Sequence, residues 1–112
     1  MDSATWLTCW VDRRETVAVV RVRGEIDAFT AGDLERCLAA ALADSPDQVL
    51  IDFGEVTFID GSGLRHLDRF QQECRDRGIA LSLARPAPCI QRLLESVMDR
   101  VLPVRDLSCP GS

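Results

Sequence analysis

The sequence predicts an α/β fold, with a mixed sheet of four to five strands and three to four helices. Two strand–helix–strand units follow one another, around helices expected at residues 30–43 and 62–77. Such units form right-handed crossovers between parallel strands, whereas two apolar segments at the start of the chain predict an antiparallel hairpin. A chain of 112 residues is the size of one domain and can bury a core without disulfides.

The hairpin is indicated by two β-rich segments on either side of a charged turn. Residues 6–11 are rich in apolar side chains, and residues 12–15 are all charged. In the segment 16–23, valines alternate with arginines from Val20 onward, which is typical of a strand with one wetter face. We expect Gly24 to end this second strand.

The first helix has an N-terminal signal at Thr30. Thr30 is a candidate N-cap with Asp33 three residues later, as in a capping box. Phe29 and Leu34 occupy the two positions of a hydrophobic staple around it. The turn residues 44–47 predict the end of this helix.

The second unit begins with a short strand at 49–53, whose nearly continuous apolar sequence predicts burial on both faces. Residues 54–60 are then a connection, followed by a helix at 62–77. Gly78 fits the left-handed residue that often follows a helix. Four apolar residues fall on one stripe of this helix: Leu64, Leu67, Phe70 and Cys74.

The last elements are a buried strand, a helix and a short strand. Residues 79–83 are apolar, and Pro88 can open a helix because its missing N–H is not needed in the first turn. A short strand is expected at 101–104, before a loose tail.

Composition excludes several classes of function. The net charge of −5 disfavours nucleic acid binding through a basic face. No apolar stretch approaches the ~20 residues that cross a bilayer, and no targeting signal is recognisable, so we expect no membrane insertion and a cytoplasmic location. The cysteines are scattered and odd in number, which predicts packing roles and neither a metal site nor a disulfide framework. They are Cys9, Cys37, Cys74, Cys89 and Cys109.

The residues with the strongest chemical signal form the loop Asp60-Gly61-Ser62-Gly63 at a strand-to-helix junction. Sites in open α/β sheets gather at such junctions. The glycines expose the Ser62 hydroxyl, which can also cap the following helix. Asp27 follows another strand, and parallel pairing would bring it near Asp60. Asp, Ser and Gly are also ordinary turn residues, so a purely structural loop is the alternative.

The ordered set of motifs resembles the STAS-domain family, particularly bacterial anti-sigma factor antagonists. The matching segments are 22–27 (Val-Arg-Gly-Glu-Ile-Asp), 49–53, 56–64 and 90–94. The resemblance extends over about residues 5–104. It implies one STAS-like domain over 1–112, with that core and a short C-terminal tail at 105–112.

The resemblance implies a phosphorylation switch at Ser62. Asp27 and Asp60 match acidic positions that the family uses around the phosphorylation and partner-contact surface. Gly61 departs from the family pattern, because many relatives carry Ser or Thr there. The implied partners are an anti-sigma factor that is also a serine kinase, and a serine phosphatase. The unphosphorylated protein would bind the kinase and release a sigma factor.

The helix after Ser62 adds candidate partner contacts. Arg65, His66 and Arg69 follow Ser62 at helical spacing, and they form either a docking face or an ordinary solvated surface. Gly61 and Gly63 would let a partner approach closely. His66 is the only histidine, so it has no second histidine for a metal site or a catalytic triad.

Three alternatives remain open at this point. The domain could be an accessory subunit of a transport complex, in which Ser62 is never modified. It could instead be a small-ligand or nucleotide-binding module, or a hydrolase using Ser62, although the missing phosphate-binding loop and general base disfavour hydrolysis. We therefore expect no enzymatic activity and no cofactor. A homodimer through Trp6, Trp10 and the first strand is a further hypothesis.

Overall fold

The computed structural model describes residues 6–97 and 104–105, and it is a single α/β domain, as predicted. The strand expected at 101–104 is described only from Val104 onward, and Cys109 lies outside the described residues. The elements are β1 (Leu7–Arg14), β2 (Val17–Ile26), α1 (Ala31–Leu42), β3 (Gln48–Ile59), α2 (Gly61–Arg77), β4 (Ala80–Ala84), α3 (Pro88–Val97) and β5 (Val104–Arg105).

The strands form one mixed sheet in which spatial order equals chain order. β1 pairs with β2 in antiparallel orientation, and the pairs β2–β3, β3–β4 and β4–β5 are parallel. Each parallel pair is connected through one of the three helices. The structure thus confirms the mixed sheet with its N-terminal hairpin and both strand–helix–strand units.

The first three strands are longer than the sequence predicts. The charged segment expected as a turn is largely strand, and the reversal occurs at Glu15 and Thr16. Gly24 does not end β2 but lies within it at φ +115°, where the pairing with β3 is irregular. A Cβ atom there would lie 2.4 Å from the Trp6 carbonyl oxygen. This glycine therefore permits a bulge, and the strand continues to Ile26.

β3 also continues beyond its predicted end. The expected connection at 54–60 is mostly strand, because β3 runs to Ile59 and keeps its pairing with β2. Gly54 is exposed and lies within β3 without interrupting it. The burial of all residues from Val49 to Phe53 confirms the predicted coverage of both faces.

The core lies between the sheet and the three helices. Alternate residues of β2 and β3, such as Val20 and Ile51, pack against the apolar stripes of α1, α2 and α3. The predicted stripe of α2 is confirmed, since Leu64, Leu67, Phe70 and Cys74 are all buried. Gly78 ends this helix in the left-handed conformation.

On the opposite side of β3, a buried carboxylate connects three parts of the chain. Asp52 accepts hydrogen bonds from Arg21 at 3.2 Å, from Arg85 at 2.7 Å and from the Gly54 amide at 2.9 Å. The two arginines compensate the charge of a side chain that is almost completely shielded from water.

The start of α1 differs from the prediction. Thr30 is the N-cap residue, but its hydroxyl donates to the Glu25 carbonyl and accepts from the Asp27 amide, so no capping box forms. The hydrophobic staple is also absent, because Phe29 is 90% exposed while Leu34 is buried. The chain enters the helix through polar contacts instead.

The apolar contacts of α2 should contribute a large share of the stability. Leu67 is 1% exposed, and Leu67→Ala should lower the free energy of unfolding by about 2–5 kcal/mol, because it leaves a cavity among the core side chains. Urea denaturation followed by circular dichroism measures the change. Leu93→Ala is the matched control, since Leu93 also lies on a helix but is 41% exposed. Equal losses for the two variants would contradict this placement of the core.

Candidate functional site

Two loops meet at the edge of the sheet where β2 and β3 end. Ile26 pairs with Ile59, and the amide of Asp60 donates to the Ile26 carbonyl at 3.1 Å. Asp27 and Asp60 are therefore the first residues after two paired strand ends. The geometry agrees with the expectation from parallel pairing that these two acidic positions are neighbours.

Asp60 is the N-cap of α2. Its Oδ1 atom accepts from the amide of Ser62 at 2.9 Å and from the amide of Gly63 at 3.2 Å. The sequence predicted that the Ser62 hydroxyl could take this role, but the Asp60 carboxylate occupies the capping position. A carboxylate is favourable here because the helix N-terminus has positive electrostatic potential.

Ser62 lies in the first turn of α2, which begins at Gly61. Its side chain is partly buried and follows an exposed glycine. Because Asp60 holds the amide of Ser62, the cap fixes the backbone from which the hydroxyl projects. The residue thus sits on a rigid helix start beside a negative charge.

Asp27 has a structural role within its loop. Its Oδ1 atom accepts from the amides of Phe29 and Thr30, at 2.9 and 3.1 Å, and its carbonyl accepts from the Ala31 amide. The residue is only 8% exposed. Asp27 therefore shapes the loop before α1, and any contribution to a partner surface would act mainly through the residues that it positions.

The two glycines of the loop occupy different environments. A Cβ atom on Gly63 would lie 2.5 Å from Cγ2 of Ile26 and 2.8 Å from Cγ1 of Ile59, so only glycine allows α2 to approach the strand ends this closely. A Cβ atom on Gly61, by contrast, would have no neighbouring atom within 4 Å. Gly63 is required for packing, whereas a side chain on Gly61 would meet no neighbouring atom.

The three basic candidates lie on the following turns of α2. Arg65 and Arg69 are exposed, and His66 is partly buried with Nδ1 3.8 Å from a Glu35 carboxylate oxygen on α1. His66 and Arg69 also line a cleft of about 350 Å³ between α1 and α2, which contains Glu73 as well. The cleft is lined by both acidic and basic side chains.

Two aromatic residues near the site are exposed, which the sequence did not predict. Phe29 lies in the Asp27 loop and is 90% exposed, and Phe58, two residues before Asp60, is 48% exposed. The sequence signal was misleading for Phe29, because its position before a helix suggested a staple. Their exposure makes Phe29 and Phe58 candidates for contact with a partner.

The described residues hold no obvious site for a metal ion. Across 6–97 and 104–105, no three His, Cys, Asp or Glu side chains come close enough together to bind one. In the same part of the chain, no helix combines the length and apolar character needed to cross a membrane.

Comparison with known families gives one match over most of the chain. The family described as STAS domain matches residues 10–101. These residues include every element from β2 to α3 and both loops of the candidate site.

Individual relatives are anti-sigma factor antagonists. The chain is 36% identical over 67 residues to the anti-sigma-F factor antagonist RsfB of Mycobacterium tuberculosis, covering 60% of this chain and 55% of that protein. It thus spans about half the length of this curated relative. The crystal structure of an anti-sigma factor antagonist from Mycobacterium paratuberculosis has a TM-score of 0.77 and 30% identity, covering 88% of this chain and 85% of the other.

A more distant structural neighbour shares the fold. The phosphorylated form of the Bacillus cell fate determinant SpoIIAA has a TM-score of 0.68 and 16% identity. The alignment covers 88% of this chain and 91% of SpoIIAA.

Alanine substitution should distinguish the two glycines of the loop. Gly63→Ala should lower the free energy of unfolding by about 1–3 kcal/mol, because the new methyl group collides with two buried isoleucines. Gly61→Ala is the matched control and should be neutral or stabilising by up to ~1 kcal/mol, since it restricts the unfolded chain at an unobstructed helical position. Thermal and urea unfolding measure both changes. A Gly61→Ala variant as unstable as Gly63→Ala would refute this difference in packing.

Proposed function

This chain belongs to the STAS domain family, and we propose that it is an anti-sigma factor antagonist switched by phosphorylation of Ser62. In this proposal the unphosphorylated protein binds an anti-sigma factor that is also a serine kinase, and so frees a sigma factor. Phosphorylation ends the complex, and a serine phosphatase restores it. The protein acts as a cytoplasmic binding partner and kinase substrate, not as an enzyme.

The observation that carries the proposal is the position of Ser62 at the start of α2. The residue follows exposed Gly61, around which there is open space, and its backbone is held by the Asp60 cap. A kinase needs an accessible hydroxyl on a defined backbone. The exposed Gly61 beside the partly buried Ser62 supports the first requirement, and the Asp60 cap supports the second. The similarity to anti-sigma factor antagonists over most of the chain supports the same assignment.

Electrostatics explain how a phosphate would act without unfolding the domain. A phosphoserine adds about −1.5 to −2 charges at neutral pH. The amides of Ser62 and Gly63, which would otherwise attract an anion, already donate to Asp60. The phosphate would therefore lie beside a carboxylate and present its charge to the partner. The chain is already acidic, with a net charge of −5.

The partner surface that we propose combines apolar and basic groups around Ser62. Phe29, on the loop before α1, and Phe58, near the end of β3, provide exposed aromatic area. Arg65 and Arg69 provide positive charge on α2, and His66 lies between them along the helix. Asp27 and Asp60 position this surface through their backbone contacts. A homodimer through β1 stays a prediction, and the exposure of Trp6 and Trp10 is compatible with it.

Phosphate mapping tests the switch directly. Incubation with a cognate anti-sigma kinase and ATP should place one phosphate on Ser62, and tandem mass spectrometry separates this site from Ser45 and Thr57 in the same tryptic peptide. The modified protein should bind the kinase about 5- to 150-fold more weakly, as expected for a coupling of 1–3 kcal/mol. Isothermal titration calorimetry measures this change.

Two substitutions serve as controls for the charge effect. Ser62→Ala should accept no phosphate and keep its affinity, whereas Ser62→Asp should bind more weakly. Phosphorylation at another residue, or equal affinities for the two variants, would argue against control by charge at Ser62.

Truncation of the exposed aromatic residue tests the proposed surface. Phe29→Ala should weaken kinase binding by about tenfold or more, because truncation of an aromatic hot spot in an interface costs about 2 kcal/mol or more. Folding should be unaffected, since the side chain is 90% exposed. Trp10→Ala is the control, because Trp10 alternates along β1 with Cys9 and Val11, which pack on the core. If Phe29→Ala binds like the wild type, or Trp10→Ala weakens binding equally, the surface is wrongly placed.

A further inference from the structure

Two cysteines that are far apart in sequence meet between β1 and α1. Cys9 lies on the side of β1 that packs on the core, and Cys37 lies on the side of α1 that faces this edge strand. The two thiols are close enough for each to shift the pKa of the other. Both line a surface groove of about 600 Å³, together with Asp33, Arg36 and Ala40.

We propose that Cys9 and Cys37 form a reversible disulfide on exposure to peroxide, which fastens helix α1 to edge strand β1. This inference goes beyond the proposed partner switch and does not depend on it. In a reducing cytoplasm the pair is a dithiol, and disulfides that form there are usually transient and redox-responsive. The two partly buried thiols reach solvent through the groove.

The contact between the thiols favours reaction at Cys37. The hydrogen bond from Cys9 lowers the pKa of the Cys37 thiol, although burial opposes this effect. The same hydrogen bond raises the pKa of Cys9 well above its usual value, with further contributions from burial and from the charges of Cys37 and Asp33. Cys37 is thus the better thiolate, and Cys9 is held beside it as a protonated thiol.

The reaction balances with hydrogen peroxide as the oxidant. The Cys37 thiolate attacks one peroxide oxygen, the O–O bond breaks, and the products are a sulfenic acid and hydroxide. The Cys9 thiol gives its proton to this hydroxide. The resulting Cys9 thiolate attacks the Cys37 sulfur, and the S–O bond breaks to release hydroxide. Two thiols have been oxidised to one disulfide, and a thiol reductant reverses the step.

The other described cysteines are less suited to this reaction. Cys74 is buried, and burial raises its pKa to about 11. Cys89 is exposed near the start of α3, on a different part of the fold. Neither lines the groove that holds Cys9 and Cys37.

Peptide mapping of the full chain tests the proposal. The reduced protein is treated with hydrogen peroxide, remaining thiols are blocked with iodoacetamide, and monomers are isolated on a non-reducing gel before trypsin digestion. Cleavage after arginine places all five cysteines in different peptides, with Cys9 in residues 1–13 and Cys37 in residues 37–65. We expect a cross-linked species that joins these two peptides and disappears after dithiothreitol.

Variants distinguish this pair from random oxidation. Cys9→Ser and Cys37→Ser should each abolish the cross-link, whereas Cys89→Ser should keep it. The proposal would be overturned if Cys9 and Cys37 were both alkylated by iodoacetamide in the peroxide-treated monomer. It would also be overturned if Cys37 were linked mainly to another cysteine.

Thermal unfolding provides a second readout within each protein. The link should raise the Tm of the oxidised wild type by roughly 5 °C or more over the reduced form, since it restricts the unfolded chain. The difference between oxidised and reduced protein should vanish in Cys37→Ser, whatever the stability of that variant. An unchanged Tm in cross-linked wild type would show that the bond does not fasten α1 to β1.

Discussion

The parallel pairing of β2 with β3 is the constraint on which the rest of the structure depends. It continues past the bulge at Gly24 to the pair Ile26–Ile59, and the Asp60 amide extends it by one further hydrogen bond. The crossover helices α1 and α2 begin from these strand ends, so their direction is set here. Gly63 completes the junction, because any larger residue would push α2 away from the two isoleucines.

The same junction gives the candidate site its electrostatic character. Helix N-termini usually attract anions, and a phosphate near one is often stabilised by free amides. Here the Asp60 carboxylate already accepts from the amides of Ser62 and Gly63. A negative charge added to Ser62 would have to share or displace this cap. A phosphate on Ser62 would therefore act more through repulsion of a partner than through binding to the helix N-terminus.

The sequence predicted the elements and their order well, because apolar periodicity reports burial directly. The prediction was wrong where a glycine was taken to end a strand. Gly24 and Gly54 lie inside strands, because pairing with a neighbouring strand outweighs the local preference of glycine. It also failed at Phe29, whose exposure depends on the polar loop formed by Asp27 and Thr30. Phosphorylation of Ser62 depends on a separate kinase, so neither the sequence nor the fold of this chain predicts it alone.

Helix α1 adjoins both the proposed partner surface and the proposed disulfide, and the two would be only weakly coupled through it. Its N-terminus is tied to the Asp27 loop by Thr30, whereas Cys37 lies further along the helix and contacts β1. The backbone of Ser62 is held by the Asp60 cap of α2 and by the β2–β3 pairing. A link between Cys9 and Cys37 would therefore restrain the Phe29 loop more than the serine itself. Oxidation would then change how readily the loop adapts to a partner, while phosphorylation would still control the charge that the partner meets.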